Sequence, residues 1–176
     1  SGMQQVYQNN AFGTFVAVNT GTAPWPQFGP SAIAAGGGAT GSAGYVSFTP
    51  TGTQTSTGSG SVADPFVMTS IATAGASGIS ITQVDKLVAS EELYTTEITA
   101  TNTSAAPLEI ILYRAMDCYL GANDSGFGMI GGNTVGCIRR DTAALPSNGS
   151  DPTQPISRVE QFVDLSGGAK KELNGY

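Results

Sequence analysis

The sequence predicts an all-β protein, an antiparallel β-sandwich of immunoglobulin-like or jelly-roll-like type with long Gly/Ser/Thr-rich loops. Three observations carry this. Residues 79–88, 94–102 and 108–113 are β-branched, largely alternating segments separated by short polar turns, the pattern of paired antiparallel strands. No segment sustains apolar spacing at three and four residues, and the best helical stretch, Val88 to Leu93, allows one turn at most. Charged residues make up only 11% and glycines number 24, whereas an average soluble domain carries about 25% charged residues.

The elements follow in order. Val6, Tyr7, Phe12, Phe15, Val16 and Val18 read as one or two strands broken near Asn9-Asn10. Residues 19–44 are punctuated by Trp25-Pro26, Gly29-Pro30 and Gly36-Gly37-Gly38 and read as loop. Tyr45 to Thr49 is a short alternating strand, 49–61 an exposed Thr/Ser/Gly run, and Pro65 to Ala72 another strand. Ile79 and Ile81 share a face; a bulge near Thr82-Gln83 would then put Val84, Lys86 and Val88 on one face. Tyr94, Thr96, Ile98, Ala100 and Asn102 share a face. Leu108 to Tyr113 is apolar on both faces and is expected at the centre of a sheet. A last strand runs from Arg158 to Leu165, and Ser166-Gly167-Gly168 ends it. Roughly eight short strands favour a sandwich over a closed barrel. The expectation is one domain over 1–176, with a loop-rich part over 1–78 and the recognisable core over 79–168.

The net charge is −6, and the Arg139-Arg140 and Lys170-Lys171 pairs form no basic footprint, so nucleic acid is not an expected partner. No apolar run approaches the roughly 20 residues that span a bilayer. Ser1-Gly2-Met3 reads either as a scar before a native Met or as a mature terminus. Composition and cysteine count favour a processed or truncated secreted protein, extracellular or at the cell surface.

Cys118 and Cys137 bracket a glycine-rich loop, and in an oxidising compartment a disulfide is expected between them. Closing a loop of that size is worth about 3 kcal/mol in the chain-entropy view. The competing reading is two free buried thiols. Two cysteines without any histidine make no ordinary structural zinc site.

Asn102-Thr-Ser, then Ile111-Leu-Tyr-Arg-Ala-Met-Asp-Cys-Tyr-Leu, then Asp124-Ser-Gly-Phe-Gly resembles a module of secreted and cell-surface proteins of actinobacteria, which carry a Leu-Tyr-Arg-Ala-Gly-Asp-Cys-Tyr-Leu pattern followed by a second cysteine. Met116 stands where that pattern has glycine. Cys137 and the stretch from Arg158 to Gly168 follow the module's order loosely, with Ser166-Gly167 replacing Thr-Pro. The resemblance covers about residues 79–168. The Thr-rich strand with its polar turn is also similar to immunoglobulin-like surface repeats. The resemblance implies an extracellular structural or adhesive module and no reaction.

The residues that could carry chemistry are few. With no histidine, Ser-His-Asp and Cys-His systems are excluded, as are the usual His-containing metal sites. Glu91-Glu92, Asp117 and Glu160 form no recognisable carboxylate pair, so no catalytic residue is expected. Asp117, Asn123 and Asp124 offer oxygen ligands of the kind calcium takes, against the blander reading that they cap turns; no other cofactor is implied. Lys86, Asn102 and Asp117 invite an isopeptide reading, in which a buried neutral Lys attacks an Asn amide while a carboxylate shuttles protons; the alternative is an exposed Lys and a turn Asn. Trp25, Tyr45, Tyr113 and Tyr119 could stack on a glycan or simply fill the core. Asn102, Asn123 and Asn148 each sit in an Asn-x-Ser sequence within a predicted turn and are expected to be solvent-accessible.

The function expected is therefore a non-enzymatic extracellular structural protein: a surface or adhesin module, or a self-assembling filament or sheath subunit. A carbohydrate-binding module and a phage capsid or tail decoration protein are the alternatives. Homotypic association or contact with neighbouring surface domains is expected. Val6, Phe12, Phe15, Val16 and Val18 form the candidate assembly strand, because a long irregular stretch separates them from Tyr45.

Overall fold

The computed structural model describes residues 12–30, 45–121, 126–140 and 153–167. Those residues form twelve strands and no helix. They group into two compact units. The larger holds residues 13–30 and 45–114; the smaller holds Phe12, 115–121, 126–140 and 153–167.

The larger unit is a sandwich of two sheets. One has the order β3-β2-β1-β9, built from Val46–Ser47, Gln27–Gly29, Phe12–Val18 and Ile110–Met116. The other has the order β4-β6-β7-β8, built from Thr49–Pro50, Phe66–Thr73, Ile79–Leu87 and Tyr94–Asn102, with β5 (Thr55–Thr57) also pairing β6. β2 pairs β3 in parallel, and β1 with β2 and every pairing within the five-stranded sheet are antiparallel. The chain leaves the first sheet at Ser47 and enters the second at Thr49, so the single segment expected from Tyr45 to Thr49 is two short strands in different sheets.

Val16 and Val18 of β1 and Phe28 of β2 pack with Ile79 and Ile81 of β7, and Ile98, Ala100 and Ile110 flank them. Each buried aliphatic side chain contributes about 1.5–3 kcal/mol. Gly29 is required here by close approach: a Cβ on it would stand 2.6 Å from the Phe15 ring and 2.7 Å from that of Tyr45.

Four expectations change on meeting the fold. β7 pairs without interruption from Ile79 to Leu87 on both sides, so no bulge interrupts it at Thr82-Gln83. Unbroken alternation then sends Gln83 and Asp85 to the inner face with Ile79 and Ile81, and Val84 and Lys86 outward. β9 closes one edge of its sheet rather than lying at the centre, and Ile111 is 54% exposed. The two-faced apolar pattern was a poor guide because an edge strand can leave large side chains in water. β1 is no loosely tethered assembly strand: it lies between β2 and β9, with Phe15, Val16 and Val18 almost fully buried. Val6 lies outside the described residues. The fourth change is in the glycine-rich stretch after Cys118, which is not only loop.

That stretch supplies β10 (Phe127–Gly131) and leads into β11 (Thr134–Arg139); with the expected last strand, β12 (Arg158–Val163), these form the smaller unit's sheet in the order β10-β11-β12. β10 and β11 form a hairpin with Gly131 opposite Thr134, leaving the two-residue turn Gly132-Asn133. Gly132 has φ of 55°, which the turn demands and glycine gives at no steric cost. Cys118 and Cys137 are disulfide-bonded, with Cα atoms 6.5 Å apart, and the bond is buried with Leu120 against Met116. Phe12 stacks on Phe162 in the same unit, ring centroids 6.0 Å apart.

Candidate functional site

In the larger unit the inner face of the five-stranded sheet changes character along its length. Beyond the apolar rows of Ile79 and Ile81 comes a polar zone. Gln83 lies opposite Ser70 and Ile98, and Asp85 lies opposite Met68 and Thr96. A row of Phe66, Leu87 and Tyr94 follows. β7 itself sets this order, because its inward positions read Ile, Ile, Gln, Asp, Leu.

The polar side chains are joined across the two sheets. Thr14 of β1, buried, donates from Oγ1 to Gln83 Oε1 at 2.6 Å. Arg114 of β9 donates from Nη1 to Thr14 Oγ1 at 2.8 Å and to Gln83 Oε1 at 3.4 Å, and from Nη2 to the Tyr94 hydroxyl at 3.5 Å. Gln83 Nε2 donates to Asp85 Oδ2 at 2.7 Å, and Thr96 Oγ1 donates to Asp85 Oδ1 at 2.6 Å. A guanidinium, an amide, three hydroxyls and a carboxylate are thus joined in a chain. Networks of this sort fix the register of the layers they bridge, because every member is costly to leave unpaired.

The aromatic candidates are mostly structural. Phe15 stacks on Tyr113 at 5.3 Å between centroids and takes Tyr45 edge-on at 5.1 Å. The Tyr113 hydroxyl donates to Gln27 Oε1 at 3.1 Å. Burial raises the pKa of both phenols, and at Tyr113 the nearby Tyr45 raises it further. Tyr45 is therefore a core residue and Tyr113, partly buried, packs against it through Phe15; Trp25 in this unit and Tyr119 in the smaller one are each partly buried.

The isopeptide candidates are not brought together. Lys86 is exposed and lies opposite Thr95, whereas Asn102 lies opposite Ile79, seven positions away along the same strand pair. At about 3.3 Å per residue that is over 20 Å. Asn102 instead holds its own turn: Oδ1 accepts from Ser104 N and Oγ, and Nδ2 donates to Ala106 O at 2.7 Å. It is exposed, while Asn123 and Asn148 lie outside the described residues. Of the calcium candidates, Asp117 is partly buried and Asn123 and Asp124 lie outside the described residues; those described hold no cluster of three or more His, Cys, Asp or Glu.

In the smaller unit, Arg139 is buried and donates from Nη1 to Leu120 O at 3.1 Å. Glu160 sits opposite Cys137, and its Oε2 is buried without a hydrogen-bond partner. Burial pushes its carboxyl up to about 7. The inner network and this carboxylate were not singled out from sequence as a site. The alternation of β7, read without a bulge, would have flagged Gln83 and Asp85. The Gly132-Asn133 turn between Phe127-Gly-Met-Ile and Thr134-Val would have flagged the hairpin that orients Cys137.

Among the described residues no helix is long and apolar enough to cross a membrane. The chain matches no protein-family model, no curated protein and no solved structure.

Proposed function

We propose that this chain is a non-enzymatic structural module of the extracellular surface, a building block of an adhesin or of a filament or sheath. The observation that carries the reading is the buried Cys118–Cys137 disulfide at the heart of the smaller unit's core. Disulfides form and persist in oxidising compartments, and small β units with limited cores depend on them. The inner network of Arg114, Gln83, Asp85 and Thr96 supports the same reading, since its polar groups are used in tying two sheets together. So does the outer face of the larger sheet, where Thr69, Thr73, Thr82, Thr95, Thr99 and Thr101 form a mostly uncharged β-surface suited to packing beside like surfaces.

Immunogold labelling of intact source cells with antibody to this chain tests the reading. Label on the outer surface or on shed extracellular material is expected. Label confined to the cytoplasm, with both cysteines in the thiol form, would overturn it.

A further inference from the structure

Among the described residues the longest edge of the larger sandwich is β8, and none of them pairs its outer side. The sheet order ends at β8, which runs nine residues from Tyr94 to Asn102. At the opposite side of that sheet β4 and β5 run only two and three residues.

The hydrogen-bond phase identifies the groups that face outward. Thr103 N donates to Gly78 O at 2.7 Å, and Ala74 N donates to Ile79 O at 2.9 Å. Both bonds set the same alternation, in which Thr95, Glu97, Thr99 and Thr101 bond β7. The N–H and C=O groups of Thr96, Ile98 and Ala100 therefore point away from the sheet, and among the described residues they have no hydrogen-bond partner. Natural edges are usually guarded by proline, lysine, a bulge or shortness. β8 has no proline or lysine, an unbroken register with β7, and one charge, Glu97.

We infer that β8 is a strand-pairing edge and that its partner is β8 of a second copy, antiparallel about Ile98. The sequence of the strand selects this partner. Ile98 is the midpoint of the nine residues, so a two-fold axis there pairs the whole strand with itself. Thr96 meets the partner copy's Ala100, and Ile98 meets its own equivalent, with each outward backbone group answered. On the outer face Glu97 meets Thr99 of the second copy, so the two glutamates do not oppose each other. On the inner face the partly buried Ile98 side chains meet across the junction. The two five-stranded sheets then become one continuous sheet. This inference rests on reading the chain as a building block, and it names the edge that joins copies.

The test is the mass in solution of the full oxidised chain by light scattering across a concentration series, with variants at exposed Thr99. The wild type is expected to approach twice 17.8 kDa as concentration rises. Thr99→Glu puts like charges opposite Glu97 at two symmetry-related places and is expected to weaken the dimer about tenfold. Thr99→Lys puts opposite charges there and is expected to tighten it. Circular dichroism matching the wild type shows that each variant is folded, and because the two substitutions act in opposite directions, general damage cannot imitate the pattern. A wild type that stays monomeric at millimolar concentration, or a dimer that Thr99→Glu and Thr99→Lys leave unchanged, would overturn the inference. Either result leaves a surface location by immunogold standing, so the two failures are distinguishable.

Discussion

Glu160 stands directly opposite Cys137 on neighbouring strands of the smaller unit, so a carboxylate shares the sheet face that carries the disulfide. One of its oxygens is buried without a partner, and its carboxyl titrates near pH 7 instead of 4.5. The native state therefore holds a proton that the unfolded chain releases between those two values. Stability contributed by the protonated form is complete below about pH 4.5 and is lost as pH rises through about 7. Glu160→Gln keeps the shape and removes the titration. Denaturant midpoints at pH 5 and pH 8 should fall for the native protein and fall less for the variant. Equal falls would show that Glu160 is not responsible.

The disulfide should be present in protein isolated without reductant. Intact mass after alkylation is expected to show no label until reductant is added, after which Cys118 and Cys137 both react. Replacing both cysteines with serine is expected to cost about 2–4 kcal/mol in chemical denaturation. Two labelled thiols in unreduced protein would contradict the structure.

Arg114 links β9 to Thr14 on β1 and Gln83 on β7. Arg114→Ala removes the donor to Thr14 Oγ1 and the longer of the two bonds to Gln83 Oε1, which keeps Thr14 as its partner, at a cost of about 1–3 kcal/mol. Gln83→Ala should cost a similar amount. Because the two residues share one network, the double variant should cost clearly less than the sum. Strict additivity in a double-mutant cycle would mean that the network is not energetically connected.

Gly29 leaves space that the rings of Phe15 and Tyr45 occupy. Gly29→Ala forces a methyl to within 2.6 Å of Phe15 and is expected to destabilise by about 1–3 kcal/mol, as overpacking does. A neutral result in thermal denaturation would show that the two rings shift freely.

The all-β class, the positions of β6, β7, β8 and β12, and the face shared by Tyr94, Thr96, Ile98, Ala100 and Asn102 are all legible in the sequence. The reason is that the two-residue alternation of a strand is written in its own side chains. The cysteine pairing was legible too, since the chain has two cysteines and both form one bond. The tertiary structure alone decided which strands are neighbours. β1 looked tethered loosely by a long irregular stretch, yet it lies between β2 and β9, because burial of Phe15, Val16 and Val18 outweighs the slow growth of loop entropy with length. β9 looked central and is an edge, because strand order depends on distant segments that a local pattern does not encode. A bulge expected near Thr82-Gln83 would have put Val84 and Lys86, rather than Asp85, on the face of Ile79 and Ile81; the strand has none, and Gln83 and Asp85 share that face. They point inward because Arg114 and Thr14, both from the opposite sheet, meet Gln83 there, and Thr96 of the neighbouring strand meets Asp85; a polar residue's partners become visible only once the chain has folded.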